Sequence, residues 1–341
     1  MKLNNKKPHQ LMRFFIYLQE TCVLDFHEVI CYNRLKVFII LIKIFNILKE
    51  RMLVRDYTIV TDSGCDLSNE MVESLGIKVV PMGIFIDGVD YKHYSDYREL
   101  SMEDFQAKIN AGHVGKTSCI NMADAIKVMR EIIEAGKDVL YISFSSGMSG
   151  SYQAACLAAR DICEEYPDAN VEVIDTFAGC VGLGMLTYLA AKRKQMGESM
   201  AQVAEYIKNI RLNINHFFMV EDLGYIQKTG RISTISAIMG TALGIRPIFK
   251  LDNNGKVALV EKIRGRKIGI KNLINKVKTR CSQSEVFFVA HMDAEDDAKN
   301  VAAQIRAEHP DAEVIIRPVG PILGNNTGPG ALAVIFYGEE R

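Results

Sequence analysis

Val139-Leu140-Tyr141-Ile142-Ser143-Phe144-Ser145-Ser146-Gly147-Met148-Ser149-Gly150-Ser151 passes from a short apolar run into a turn made of hydroxyls and glycines. The run Val139–Phe144 has the length and composition of a buried strand. A helical pattern follows from about Ser149 to Glu165, and Val171–Asp175 is again strand-like. A strand, a turn, a helix and a second strand within about forty residues make a βαβ unit and a parallel sheet. The pattern extends upstream. Tyr57–Thr61 reads as a strand, with Asp66 or Ser68 as cap of the next helix. Asn121 can cap a helix bearing Ile126, Met129, Ile132 and Ile133 at helical spacing. Ser101 starts another, with Glu103 and Asp104 in its first turn.

Downstream the alternation loosens. Helices are expected over 182–195 and 200–211, then a short strand at Phe217–Val220. Arg246–Lys250 and Val257–Ile263 flank Asp252-Asn253-Asn254-Gly255, a hairpin signal. Later strands are expected at Val286–His291, Ala312–Arg317 and Ala333–Tyr337. The fold class is therefore α/β. A mainly parallel N-terminal sheet with flanking helices occupies 56–174, and a second α/β domain occupies 175–341.

Residues 1–55 stand apart. They carry ten Lys and Arg against four Asp and Glu, leaving 31 against 37 for the remainder, although the whole chain balances at 41 each. Their apolar stretch around Val37–Ile42 is shorter than the roughly 18 residues of a membrane span. Met52 closely precedes the first strand and reads as the natural start, making 1–51 an upstream extension; the alternative is a basic helix lying on a membrane surface, at most a peripheral contact. The eight cysteines show neither C-x-x-C pairs nor zinc spacing. They read as reduced thiols of a cytoplasmic protein. The net-acidic body offers no basic stripe for nucleic acid, and no metal or cofactor is expected.

Three hydroxyl-rich stretches carry the functional signal: Thr61-Asp62-Ser63, Lys116-Thr117-Ser118 and Ser145-Ser146-Gly147. Ligands bind beyond the carboxyl ends of strands in open α/β sheets. Neutral donors gathered there suit a small anionic head group. Asp62 would repel such a group, so it is assigned to orienting its neighbours.

These stretches, together with Val173-Ile174-Asp175, Gly230-Arg231-Ile232-Ser233 and Gly328-Pro329-Gly330, resemble the DegV family in order and spacing over roughly 56–341. That family is similar to the fatty-acid-binding subunits of bacterial fatty acid kinases. The resemblance implies a long-chain fatty acid held between two domains and presented to a separate ATP-dependent kinase. The kinase makes an acyl phosphate for phospholipid synthesis, and the binding subunit is not itself an enzyme. It implies Thr61, Ser63, Thr117, Ser118, Ser145, Ser146, Gly147, Asn326 and Arg231 as ligand-binding positions, with Ser118 foremost. By analogy Arg231, Arg264 and Arg266 would bind the kinase or steady the transferring phosphoryl group. One departure stands out: many members have His-x-Gly-Pro-Gly where this chain has Asn326-Thr327-Gly328-Pro329-Gly330. Asn can hydrogen-bond but cannot carry positive charge. Two rivals remain: a binding protein for another small anion, and an autonomous Ser or Cys hydrolase. The second lacks a G-x-S-x-G elbow and an evident base.

Overall fold

Every residue of Tyr57–Asp62 and of Asp138–Ser143 is buried. Continuous apolar strands of this kind form parallel sheets covered on both faces. The computed structural model describes residues 55–223, 226 and 245–341. The proposed start at Met52 and the extension before it lie outside the described residues, as do Arg231 and its Gly-Arg-Ile-Ser stretch.

In chain order the strands are β1 (Tyr57–Asp62), β2 (Lys78–Val80), β3 (Met82–Ile86), β4 (Val89–His93), β5 (Lys116–Ser118), β6 (Asp138–Ser143), β7 (Val171–Asp175), β8 (Ile214–Met219), β9 (Ile245–Leu251), β10 (Val257–Arg264), β11 (Val286–His291), β12 (Glu313–Pro318) and β13 (Leu332–Tyr337). The helices are α1 (Asn69–Ser74), α2 (Met102–Asn110), α3 (Met122–Glu134), α4 (Ser151–Glu165), α5 (Val181–Gln195), α6 (Met200–Ile210), α7 (Arg266–Arg280), α8 (Glu295–Glu308) and α9 (Pro321–Thr327). Ser68, Ser101 and Asn121 cap α1, α2 and α3 through their side-chain oxygens.

The strands make three sheets. The first is parallel, in the order β2-β1-β6-β7. The second has six strands in the order β10-β9-β8-β13-β11-β12, antiparallel except for the β11–β12 pair. The third is a small antiparallel sheet, β4-β3-β5. Helices α3 and α4 cover one face of the parallel sheet, while α5 and α6 cover the other. Helix α7 closes the far face of the six-stranded sheet with α8, where Leu273, Val277, Val301 and Ile305 are buried.

Helix α5 explains how the layers fit. Val181 to Tyr188 are all buried, together with Ala190 and Ala191. A helix that is apolar all round must be covered all round. It packs on β1 and β6 of the parallel sheet and on β8, β11 and β13 of the six-stranded sheet. Residues 55–341 accordingly form one compact unit. Among the described residues no helix is long and apolar enough to cross a membrane.

Candidate ligand-binding site

The loop end of the parallel sheet is organised by Asp62. This side chain is fully buried. Its carboxylate accepts from the Tyr141 hydroxyl, from Phe144 N at 2.5 Å and from Ser143 Oγ at 3.2 Å. Burial raises the carboxyl to about 6, against the pull of those three donors. Asp62 therefore orients its neighbours, fixing the turn that begins at Phe144.

That turn is occupied from within the protein. Ser145 Oγ is fully buried, donates to Gly255 O at 2.9 Å and accepts from Gly147 N at 3.1 Å. The tip of the β9–β10 hairpin thus rests on Ser145–Gly147. A Cβ on Gly147 would lie 2.3 Å from Asn254 O, so glycine is required there for backbone approach. Ser146 N donates to Asp175 Oδ1 at 3.2 Å. Thr61 Oγ1 donates to Ile142 O at 2.9 Å, and Ser63 Oγ accepts from Met82 N at 2.9 Å. These hydroxyls hold the protein's own backbone.

Beside this turn lies a cavity of about 280 Å³. Its floor is explained by strand register. Phe249, Phe218, Ala333 and Ala290 stand side by side across β9, β8, β13 and β11. Two adjacent alanines in this row leave a space where larger side chains would fill the sheet face. Leu251 and Val257 of the hairpin, Phe144, Met148, Met82, Ile322 and Leu323 complete an apolar wall. None of the lining residues is Lys, Arg, Asp or Glu. Its histidine, His216, is buried; Nδ1 contacts Ile214 O at 2.9 Å. Burial and the nearby Arg341 charge push this imidazole well below its ordinary value, so it is neutral.

Polar groups gather at one part of the wall: Thr117, Ser118, Cys119, Ser149, Gly150, Asn326 and Thr327. Helix α9 is tied to the strand carrying Thr117 and Ser118, because Asn325 accepts from Gly115 N at 2.6 Å and donates to Gly115 O at 2.9 Å. Ile120 N donates to Ser151 Oγ at 3.3 Å, bringing the same segment to the amino end of α4. Ser118 is exposed, which makes this the mouth. Asn326 Nδ2 donates to Ile322 O at 2.6 Å, and its Oδ1 is buried with no hydrogen-bond partner.

Of the nine positions singled out in the sequence, Thr117, Ser118 and Asn326 meet on this wall. Thr61, Ser63, Ser145, Ser146 and Gly147 lie behind or beside it with the contacts given above. Cys119, Ser149 and Thr327 share the mouth and lie outside those nine positions, although Ser149 belongs to the quoted hydroxyl-rich turn. Arg266 has its charge satisfied: it pairs with Glu221 at 3.0 Å and Asp297 at 2.5 Å and donates to Gly330 O.

The family model described as "Uncharacterised protein, DegV family" matches residues 56–339. The chain belongs to the DegV family. A DegV domain-containing protein of Clostridium perfringens is 32% identical over 290 residues, covering 84% of this chain and 99% of that one. A relative from Streptococcus pyogenes is 33% identical over 284 residues, covering 83% and 99%. Among solved structures, a fatty-acid-binding DegV family protein of Thermus thermophilus aligns with TM-score 0.75 and 26% identity, over 83% of this chain and 99% of that one. The Streptococcus pneumoniae fatty acid kinase B3 protein, loaded with linoleic acid, aligns with TM-score 0.73 and 20% identity over 83% and 100%. At that identity the likeness shows the shared DegV fold.

Proposed function

We propose that the protein binds a long-chain fatty acid, its acyl chain in the cavity and its head group at the mouth among Thr117, Ser118 and Asn326. The observation that carries this reading is the union of an uncharged apolar cavity with a cluster of hydroxyls at its exposed end. Each buried methylene contributes about 0.8 kcal/mol, so the tail supplies affinity and the hydroxyls supply orientation. The fatty acid bound by the Thermus relative supports the ligand class. We infer further that the protein works in the cytoplasm and is not itself an enzyme. It hands the exposed head group to a separate ATP-dependent kinase for acyl phosphate formation. A phosphorylated metabolite would leave the apolar wall unused. Hydrolysis at Ser118 or Cys119 would need a base, and among the described residues the lining His216 makes no hydrogen bond to either.

Mass spectrometry of the protein purified without added lipid tests the ligand class, first natively and then after solvent extraction. A stoichiometric fatty acid is expected. An empty protein that also refuses added palmitic and oleic acids would overturn the reading. For the partnership, acyl phosphate should appear when loaded protein, ATP and a bacterial fatty acid kinase catalytic subunit are combined, and should be absent when any one is omitted.

A further inference from the structure

The cavity wall carries no positive charge, and Arg266 is already held by two carboxylates. Phosphoryl transfer to a bound acid nevertheless builds negative charge at the mouth. A carboxylate oxygen attacks the γ-phosphorus of the nucleoside triphosphate. The bond from that phosphorus to the β–γ bridging oxygen breaks, and the nucleoside diphosphate leaves with the electron pair. A group of one negative charge becomes one approaching two.

Strand β5 carries a cation, Lys116, two residues from Ser118. Side chains two apart on a strand share a face, so Lys116 and Ser118 stand together on the outer face of the small sheet, about 7 Å apart along the strand. Register agrees: Lys116 lies opposite Phe85, which is 43% exposed, and Ser118 lies opposite Gly83. Lys116 is exposed and forms no ion pair among the described residues. Two of the carboxylates near it are already paired. Lys92, across Gly83 from Ser118, holds Asp124 at 2.7 Å, and Asp87 is held by Lys108 and His113. Asp90, across Phe85 from Lys116, makes no ion pair with it. From the other side, Ser149 and Gly150 at the amino end of the fifteen-residue helix α4 line the same mouth. Gly150 lies against Cys119, where a Cβ would be 3.7 Å from Sγ. That helix end adds partial positive charge.

We propose that Lys116, with Ser118 and the amino end of α4, forms a phosphoryl subsite at the cavity mouth, and that Lys116 holds the dianionic head group of the acyl phosphate. This rests on the fatty-acid reading above. Lys116 lies outside the set of positions assigned to the fatty acid itself, and it discriminates between a carboxylate and a phosphoryl head.

The test compares palmitic acid with hexadecylphosphonic acid, a stable mimic of the phosphorylated head, in equilibrium binding to delipidated full-length protein. Wild type should take both. Lys116→Gln should lose about tenfold to a hundredfold more affinity for the phosphonate than for palmitate, the range for a charge-assisted bond. Lys116→Arg should keep most of the discrimination, and raising the salt should erase it, because exposed charges are screened. Equal losses for both ligands in Lys116→Gln, or no loss for the phosphonate, would overturn the subsite. So would wild type that binds palmitate and rejects the phosphonate; the fatty-acid reading would survive that result. Failure of wild type to bind either lipid would remove both.

Discussion

Ser145 and Ser118 look alike in the sequence but do different work in the structure, and alanine at each should separate folding from binding. Ser145 Oγ bridges Gly255 O at 2.9 Å and Gly147 N at 3.1 Å from a fully buried position. Ser145→Ala removes two hydrogen bonds and leaves a carbonyl and an amide short of partners. At about 1 kcal/mol net per bond, plus the cost of an unsatisfied group, the loss is about 3 kcal/mol. For a body spanning residues 55–341 that lowers the melting temperature by about 5 °C. Ser118 is exposed, and its hydroxyl has no partner among the described residues, so Ser118→Ala should change stability by less than about 0.5 kcal/mol. Its effect falls on the ligand: fatty-acid affinity should drop by about 1–3 kcal/mol, as for a lost donor to a charged group. The assay is thermal unfolding of delipidated protein, since bound lipid raises the melting temperature by mass action, followed by equilibrium binding of palmitate. If Ser145→Ala binds palmitate poorly yet melts like wild type, and Ser118→Ala does the reverse, the assignment of roles is refuted.

Three further outcomes are expected. A Cβ at Gly83 would lie 2.4 Å from Ser118 Oγ, so Gly83→Ala should turn that hydroxyl aside and lower palmitate affinity several-fold, with little loss of stability because the crowded atom is mobile; unchanged affinity would show that Ser118 does not touch the head group. Ala333→Leu should fill the centre of the cavity floor and shorten the longest chain accepted, read as a shift in co-purified acyl lengths by mass spectrometry; an unaltered lipid profile would place the tail elsewhere. Asp62 is raised by burial to about 6 from an ordinary 3.8, so its stabilising contribution is complete below about pH 4 and is lost as pH rises through 6. With a shift worth about 3 kcal/mol, Asp62→Asn should gain on wild type by that order between pH 4 and 7.5 in denaturant titrations, and parallel curves would show that the carboxyl titrates normally.

The parallel sheet was legible because its strands announce themselves locally. Val171–Asp175 is a strand over the same residues in sequence and structure, and the capping roles of Ser68, Ser101 and Asn121 follow from their side chains. The second sheet was read nearly as well, with Phe217–Val220 displaced to Ile214–Met219. Strand β4 went unread because Asp90, Tyr91 and Lys92 lack an apolar run. Lys116–Ser118 was read as a turn beyond a strand and is instead a strand at the edge of the small sheet. Half of the site was hidden for a different reason. No local pattern tells Ser145 that its partner is Gly255, 110 residues away. Nor does either alanine reveal that Ala290 and Ala333 will stand opposite each other; register across strands makes that space.

The position of β13 carries a consequence for synthesis. This strand, the last described, lies inside the six-stranded sheet between β8 and β11. Until Leu332–Tyr337 leaves the ribosome, β8 and β11 have no common neighbour, and the cavity lacks the floor that Ala333 and Ile335 provide. A chain in which β13 has not yet paired therefore carries an open apolar trough in place of the cavity, and the ligand proposed above would find its site only once that strand is seated. Pairings of such long sequence separation also form slowly. The cavity thus arises in a single late step of folding, when β13 joins its two neighbours.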